Sequence, residues 1–262
     1  MLSLTQGRRK TLDQGSPIPT PFKSFDYNGI CFRRGALSLI AAAPGCGKSA
    51  LAQSIVQRGD GKGGVLPAAY FSADSDAATV FQRSASMVTG YEMSEVERLM
   101  KEGGAEALEE RVRAASSHIR YSFRSTLDPE HIIDELEAFA HVQGDWPGII
   151  VIDNLSNIDA GYEDEFRNLG EASFFLMDLA RDTSAAVIAL HHVGGEHEGG
   201  GRPIPLSGLR GKVSKLPSLV LTLHQAQGLK VSVVKNRSAK ADPSGNYGVE
   251  LQSDFSRMWF DG

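Results

Sequence analysis

Residues 36–49 read Ala-Leu-Ser-Leu-Ile-Ala-Ala-Ala-Pro-Gly-Cys-Gly-Lys-Ser, an apolar run that passes directly into a glycine turn closing on Lys-Ser. The run Ala36–Ala42 predicts a buried strand, and the turn after it predicts a phosphate cradle at the start of a helix. Gly45 and Gly47 let backbone N–H groups curl around a polyphosphate, and Lys48 can reach its terminal oxygens. The Ser49 hydroxyl is placed to ligate Mg²⁺ at the positive end of a helix whose apolar face begins with Ala50, Leu51, Ala52, Ile55 and Val56. The nucleotide contacts expected from this turn are therefore Pro44, Gly45, Cys46, Gly47, Lys48, Ser49 and Ala50, with ATP and Mg²⁺ as the ligands. Ala42 stands where the G-x-x-x-x-G-K-[ST] pattern begins with glycine, but the cradle is made mainly by the tighter part of the turn.

A second signal is Gly148-Ile149-Ile150-Val151-Ile152-Asp153-Asn154, an apolar strand that delivers a carboxylate at its C-terminal end. In a parallel sheet that end faces the phosphate turn, so Asp153 can hold the Mg²⁺ shell through water and complete the metal site begun by Ser49. Strand and helix patterns alternate around these two. Residues 68–72 and 119–123 predict short strands, and residues 77–88 a helix. Residues 92–117 predict two surface helices broken at Gly103-Gly104. Asp128-Pro129-Glu130 opens a helix with Ile132, Ile133, Leu136 and Phe139 on its apolar face. Residues 166–182 predict another, with Phe166, Leu169, Leu176, Leu179 and Ala180 at helical spacing, followed by a strand over 185–190. The pattern gives an α/β class with a mainly parallel sheet and helices on both faces. Residues 1–20 are polar, carry Pro17 and Pro19, and read as an N-terminal arm or linker before one domain over 21–262.

Composition bounds the function. The 41% hydrophobic content of 262 residues suffices for one large core, and the net charge of −5 offers no general attraction to nucleic acid, so any such contact needs local basic loops. There are two cysteines, and Cys46 lies inside the phosphate turn, where a disulfide would interfere with nucleotide, which fits a reducing cytosol. No apolar leader follows Met1, and no stretch approaches the roughly 20 apolar residues of a membrane helix, so a soluble, cytoplasmic protein is expected. His191-His192 with Glu196-His197-Glu198 could suggest a transition-metal site, but adjacent residues at a strand end point to opposite faces and the surrounding glycines fix no geometry.

Four further stretches complete a pattern. They are Ile18-Pro19-Thr20-Pro21-Phe22 through Arg34-Gly35-Ala36-Leu37, then Tyr70-Phe71-Ser72-Ala73-Asp74, then Val187 through His191-His192, and finally Val233-Val234-Lys235-Asn236-Arg237 before Pro243-Ser244-Gly245 and the close at Met258-Trp259-Phe260. With the phosphate turn and Asp153, they make residues 19–260 resemble the RecA-like P-loop ATPase core of the DnaB family of replicative ring helicases. The resemblance implies that Asp74 is the carboxylate that orients water, in place of a glutamate, with Asp76 as the alternative. It implies that His192 stands at the γ-phosphate sensor, normally glutamine, and that Lys235 and Arg237 form a finger reaching the ATP of an adjacent subunit. Hydrolysis needs such a carboxylate and such cations because charge spreads over the transferring oxygens.

The resemblance also implies a homo-oligomer, with a hexamer as the expected closed form, and single-stranded DNA as partner. The long connection Val193–Pro217 matches the family's pore-facing loop, where Arg210, Lys212 and Lys215 would grip phosphates without reading sequence. The family's separate N-terminal domain has no counterpart in the roughly 20 residues before the core, as in stripped-down phage replication or recombination proteins; a phage-encoded chain would work in the host cytoplasm. A DNA-dependent, helicase-type translocating ATPase is the expected function. A recombination mediator that anneals or exchanges strands, and a nucleotide-gated assembly or regulatory protein without DNA activity, stand as alternatives.

Overall fold

Strand β1 (Ala36–Ala42), the apolar run before the phosphate turn, is buried over its last six residues and pairs in parallel on both sides. Its neighbours are β5 (Ala186–His192), with Ala42 opposite His192, and β6 (Leu219–Gln225), with Ala42 opposite Leu223. The computed structural model describes residues 13–209, 211 and 213–262. Among them, nine strands form one sheet in the order β3-β2-β4-β5-β1-β6-β7-β8-β9. Here β2 is Ala68–Ser72, β3 Ile119–Ser122, β4 Ile149–Asp153, β7 Leu229–Asn236, β8 Gly248–Asp254 and β9 Trp259–Asp261. Strands β1 to β6 run parallel and β7 to β9 pair antiparallel.

The helices follow from the same patterning. After α1 (Lys23–Tyr27), α2 (Lys48–Arg58) leaves the phosphate turn; α3 (Ala77–Thr89), α4 (Met93–Lys101) and α5 (Ala105–Ser116) lie between β2 and β3; α6 (Pro129–Gln143) and α7 (Glu165–Thr183) precede β4 and β5. Asp128 and Asp164 cap the last two helices through the backbone N–H groups of His131 and Arg167. The chain steps one way across the sheet from β1 to β2 and the other way from β3 to β4 to β5, so right-handed crossovers set α2 on one face and α6 and α7 on the other.

Two apolar positions lie elsewhere than their periodicity suggests. Ile133 is 38% exposed because Ile132, Leu136 and Phe139 already form the stripe of α6 against the sheet. Phe166 is 59% exposed, since the first turn of α7 overhangs the C-terminal edge of the sheet and burial begins at Leu169. Of the segment expected as an arm, residues 1–12 lie outside the described residues. Ile18, by contrast, is buried in the core, and Pro17 bridges to Arg33.

Gly248 and Gly170 test how tightly this frame is packed. A Cβ on Gly248 would sit 2.1 Å from the Val231 carbonyl oxygen of the paired strand, whereas one on Gly170, mid-way along α7, would meet nothing within 4 Å. Gly248→Ala is expected to cost about 1–3 kcal/mol, the scale of overpacking. Gly170→Ala is expected to add about 0.5–1 kcal/mol by removing glycine's unfolded-state freedom. Urea unfolding of the two variants gives shifts of opposite sign.

Candidate active site

Tight left-handed turns at Gly45 and Gly47, with φ of 76° and 90°, bring the chain round from β1 into α2. The ring edge of Phe255, from the turn between β8 and β9, lies against Gly47 so closely that a Cβ there would be 2.6 Å from it. Lys48 is only 5% exposed, and its ammonium finds three acceptors: the carbonyls of Ala42 and Ala43, each at 3.2 Å, and His192 Nδ1 at 3.0 Å. Burial lowers the lysine's pKa, opposed chiefly by the charge of Asp153.

Asp153, 2% exposed at the end of β4, accepts from the Tyr70 hydroxyl at 3.0 Å, and the Ser49 side chain is near enough to favour its charged form. Burial raises its carboxyl above the ordinary range, and the Ser49 and Tyr70 hydrogen bonds oppose that rise. The two positions read as metal ligands therefore lie near one another, and a hydroxyl with a buried carboxylate is the hard-oxygen set that Mg²⁺ takes.

Asp74 is fixed to the same strand end, since the backbone N–H groups of Ala73 and Asp74 donate to the Asp153 carbonyl at 2.7 and 3.3 Å. Its Oδ2 accepts from Asn154 Nδ2 at 2.8 Å and from His192 Nε2 at 3.0 Å. Burial pushes this carboxyl up, but those two hydrogen bonds and the nearby charges of His192 and Lys48 outweigh it and hold it below the ordinary range. Asp76, the alternative carboxylate, is engaged as the cap of α3, accepting from Thr79 N at 2.8 Å.

The histidines diverge as strand alternation requires. His192 turns to Lys48 and Asp74. His191 is 4% exposed and neither ring nitrogen has a partner; both histidines border a cavity of about 480 Å³ with Pro44, Glu165, Val193 and Glu198.

Lys235 and Arg237 lie elsewhere. Lys235 pairs with Val220 and Asn236 with Leu219, while Leu219 is opposite Ser38 in β1. Lys235 is thus level with Leu39, three residues or about 10 Å back along the strand from Ala42, and Arg237 lies further back still. Lys235 Nζ donates to the carbonyls of Ser214 and Lys215 at 2.6 and 2.8 Å, and Arg237 to that of Lys215 at 3.2 Å. Lys215 is exposed, and Arg210 and Lys212 lie outside the described residues. The connection that carries them also touches the cradle: buried Gly200, at φ 65°, packs on Cys46, and its carbonyl accepts from Gln225 N at 2.8 Å.

The sequence model of the DnaB-like helicase C terminal domain matches residues 17–241. The chain belongs to that family. As a DnaB-like chain of this kind it is a RecA-like P-loop ATPase. It is 34% identical over 249 residues to the Gene 65 protein of Mycobacterium phage L5, covering 91% of this chain and 90% of that one. The Gene 65 protein of Mycobacterium phage D29 is 35% identical over 219 residues, 79% of this chain and 91% of the relative. Among solved structures, a DnaB-like replicative helicase studied for its interactions with primase superposes with a TM-score of 0.75 at 16% identity, over 98% of this chain and 64% of the helicase. A separately solved ATPase domain superposes at 0.77 and 16% identity, over 98% of this chain and 95% of that one. A KaiC-like protein from Pyrococcus horikoshii OT3 follows at 0.61 and 16% identity, over 91% and 95% of the two chains. No helix among the described residues is long and apolar enough to cross a membrane.

Reading the DnaB-like pattern alone left out Tyr70, Asn154 and Phe255. A signal existed for the first, because Tyr70 lies in the strand before Asp74; the other two contacts depend on pairings between distant segments.

His191 yields a measurable consequence. Its imidazole is pushed down to about 4 from an ordinary 6.5, first by burial and then by the charges of His192 and Lys48. Above pH 6.5 the ring is neutral folded or unfolded. As pH falls toward 4, only the unfolded chain takes the proton, so stability is lost through that window and the loss levels off below it. By pH 4.5 the loss is about 3 kcal/mol. In urea unfolding at pH 7 and 4.5, His191→Leu is expected to lack that part of the decline.

Proposed function

We propose that this DnaB-like chain is a DNA-dependent ATPase that assembles into a ring, most simply a hexamer, and translocates on single-stranded DNA. The observation that carries the reading is the separation of Lys235 and Arg237 from the cradle along β1: two cations at that distance serve no phosphate of their own chain but are available to a neighbour's. Heterologous contacts of that kind close into rings when the rotation between neighbours closes. The connection over 193–217 leaves the cradle at Gly200 and ends beside Lys235, so it links the bound nucleotide to the finger, and basic residues along it suit phosphate contacts.

Within one site, the N–H groups of the 44–50 turn bind the phosphates and Lys48 moves from its carbonyls to the terminal oxygens. Ser49 and Asp153 would hold Mg²⁺, which neutralises phosphate charge when bound. Asp74 and His192 handle the attacking water, and Lys235 and Arg237 of a neighbour steady the charge that spreads over the transferring group.

Hydrolysis measured with and without single-stranded DNA, beside strand displacement on a forked duplex, tests the proposal. Stimulation with unwinding is expected. Stimulation without unwinding favours a recombination mediator, and no stimulation favours a nucleotide-gated regulatory protein. Lys48→Ala is expected to abolish turnover and Arg237→Ala to do the same by a different route. Once exchange of subunits is established with two affinity tags, mixing the two inactive proteins is expected to restore part of the activity, because some interfaces then join an intact cradle to an intact finger. No recovery at any ratio contradicts a finger acting between subunits.

A further inference from the structure

We infer that His192, oriented by Asp74, is the group that takes the proton from the attacking water. The inference rests on the ATPase reading above and names which member of the Asp74–His192 pair does the chemistry.

The hydrogen bonds determine the tautomer. An ammonium carries donors and no lone pair, so His192 Nδ1, 3.0 Å from Lys48 Nζ, can only be the acceptor. The proton of the neutral ring is therefore on Nε2, where it is donated to Asp74 Oδ2 at 3.0 Å. Asn154 donates to that same oxygen at 2.8 Å and is itself 1% exposed, so the carboxylate is clamped toward the imidazole from a buried support. This is a carboxylate holding a histidine with its second nitrogen presented outward, the order in which a carboxylate orients a histidine base and steadies the imidazolium it becomes.

Lys48 occupies that second nitrogen. When the ammonium moves to the phosphate oxygens, Nδ1 is left with its lone pair open on the side of the ring that faced the cradle lysine. The charged and titratable groups facing the ring are Lys48, Asp74 and the adjoining His191, with Glu165 and Glu198 across the bordering cavity.

The step balances. The water oxygen bonds to the γ-phosphorus, the bond to the bridging oxygen breaks, and that electron pair leaves on ADP. The water's proton passes to Nδ1, and Nε2–H stays on Asp74. The imidazolium then returns its proton to solvent or to the released phosphate.

His192→Gln decides between base and sensor, because a glutamine can hydrogen-bond a phosphate but cannot accept a proton. Wild-type hydrolysis is measured first; a wild-type protein that does not turn over overturns the ATPase reading itself. Given wild-type turnover, His192→Gln is expected to lower kcat by about 10²- to 10⁴-fold, the range of general base catalysis, while a fluorescent ATP analogue still binds with little change. His192→Gly is expected to regain turnover as neutral imidazole is added, saturably, while Lys48→Ala does not respond. Near wild-type kcat in His192→Gln overturns the inference and leaves Asp74 to act directly, with the ATPase reading intact. A His192→Gly protein that binds nucleotide yet ignores imidazole overturns it equally.

Discussion

A buried ammonium is the constraint on which this structure turns. Lys48 lies at the meeting point of β1, β5 and the phosphate turn, and it is tolerated there because two carbonyls and an imidazole nitrogen replace its water. An unpaired charge at that depth would cost several kcal/mol. The parallel register that puts Ala42 beside His192 therefore does more than hold the sheet together. It supplies acceptors that keep the lysine folded back and ready, and it places an imidazole between the lysine and Asp74. The site is assembled by strand pairing, and Lys48, Asp74 and His192 are hydrogen-bonded to one another or to backbone.

The same sheet separates the phosphate-turn residues from Lys235 and Arg237. Its C-terminal edge gathers Lys48, Ser49, Asp74, Asp153 and His192, while Lys235 and Arg237 emerge at the opposite end of β1 and β6. The segment from 193 to 217 crosses from one edge to the other. One end rests on Cys46 through Gly200, and the other lies under Lys235 through the Ser214 and Lys215 carbonyls.

Most of the frame was legible in the sequence. The run Ala36–Ala42 is a strand over those same residues, and the breaks at Gly103-Gly104 and the cap at Asp128 fall where the glycine and proline chemistry puts them. Local signals suffice there, because propensity, capping and apolar period all act within a few residues. What was not legible depends on register between distant segments. Nothing near Asp74 announces that Asn154 will clamp it, and nothing near Gly47 announces Phe255 from the far end of the chain. Ile133 and Phe166 show the converse: the helical period is correct, but how far the sheet extends beneath each turn decides burial. Asp76 illustrates how a carboxylate beside the site is claimed by a local cap instead.

The most direct measurement is a crystal structure with Mg²⁺, ADP and aluminium fluoride, which mimics the transferring phosphate. Lys48 Nζ is predicted to have left the Ala42 and Ala43 carbonyls and His192 Nδ1 for the phosphate oxygens and the fluoride, with an ordered water between His192 Nδ1 and the aluminium. A nucleotide seated in the 44–50 turn while Lys48 keeps its carbonyls and His192, or one bound outside that turn, would contradict the account.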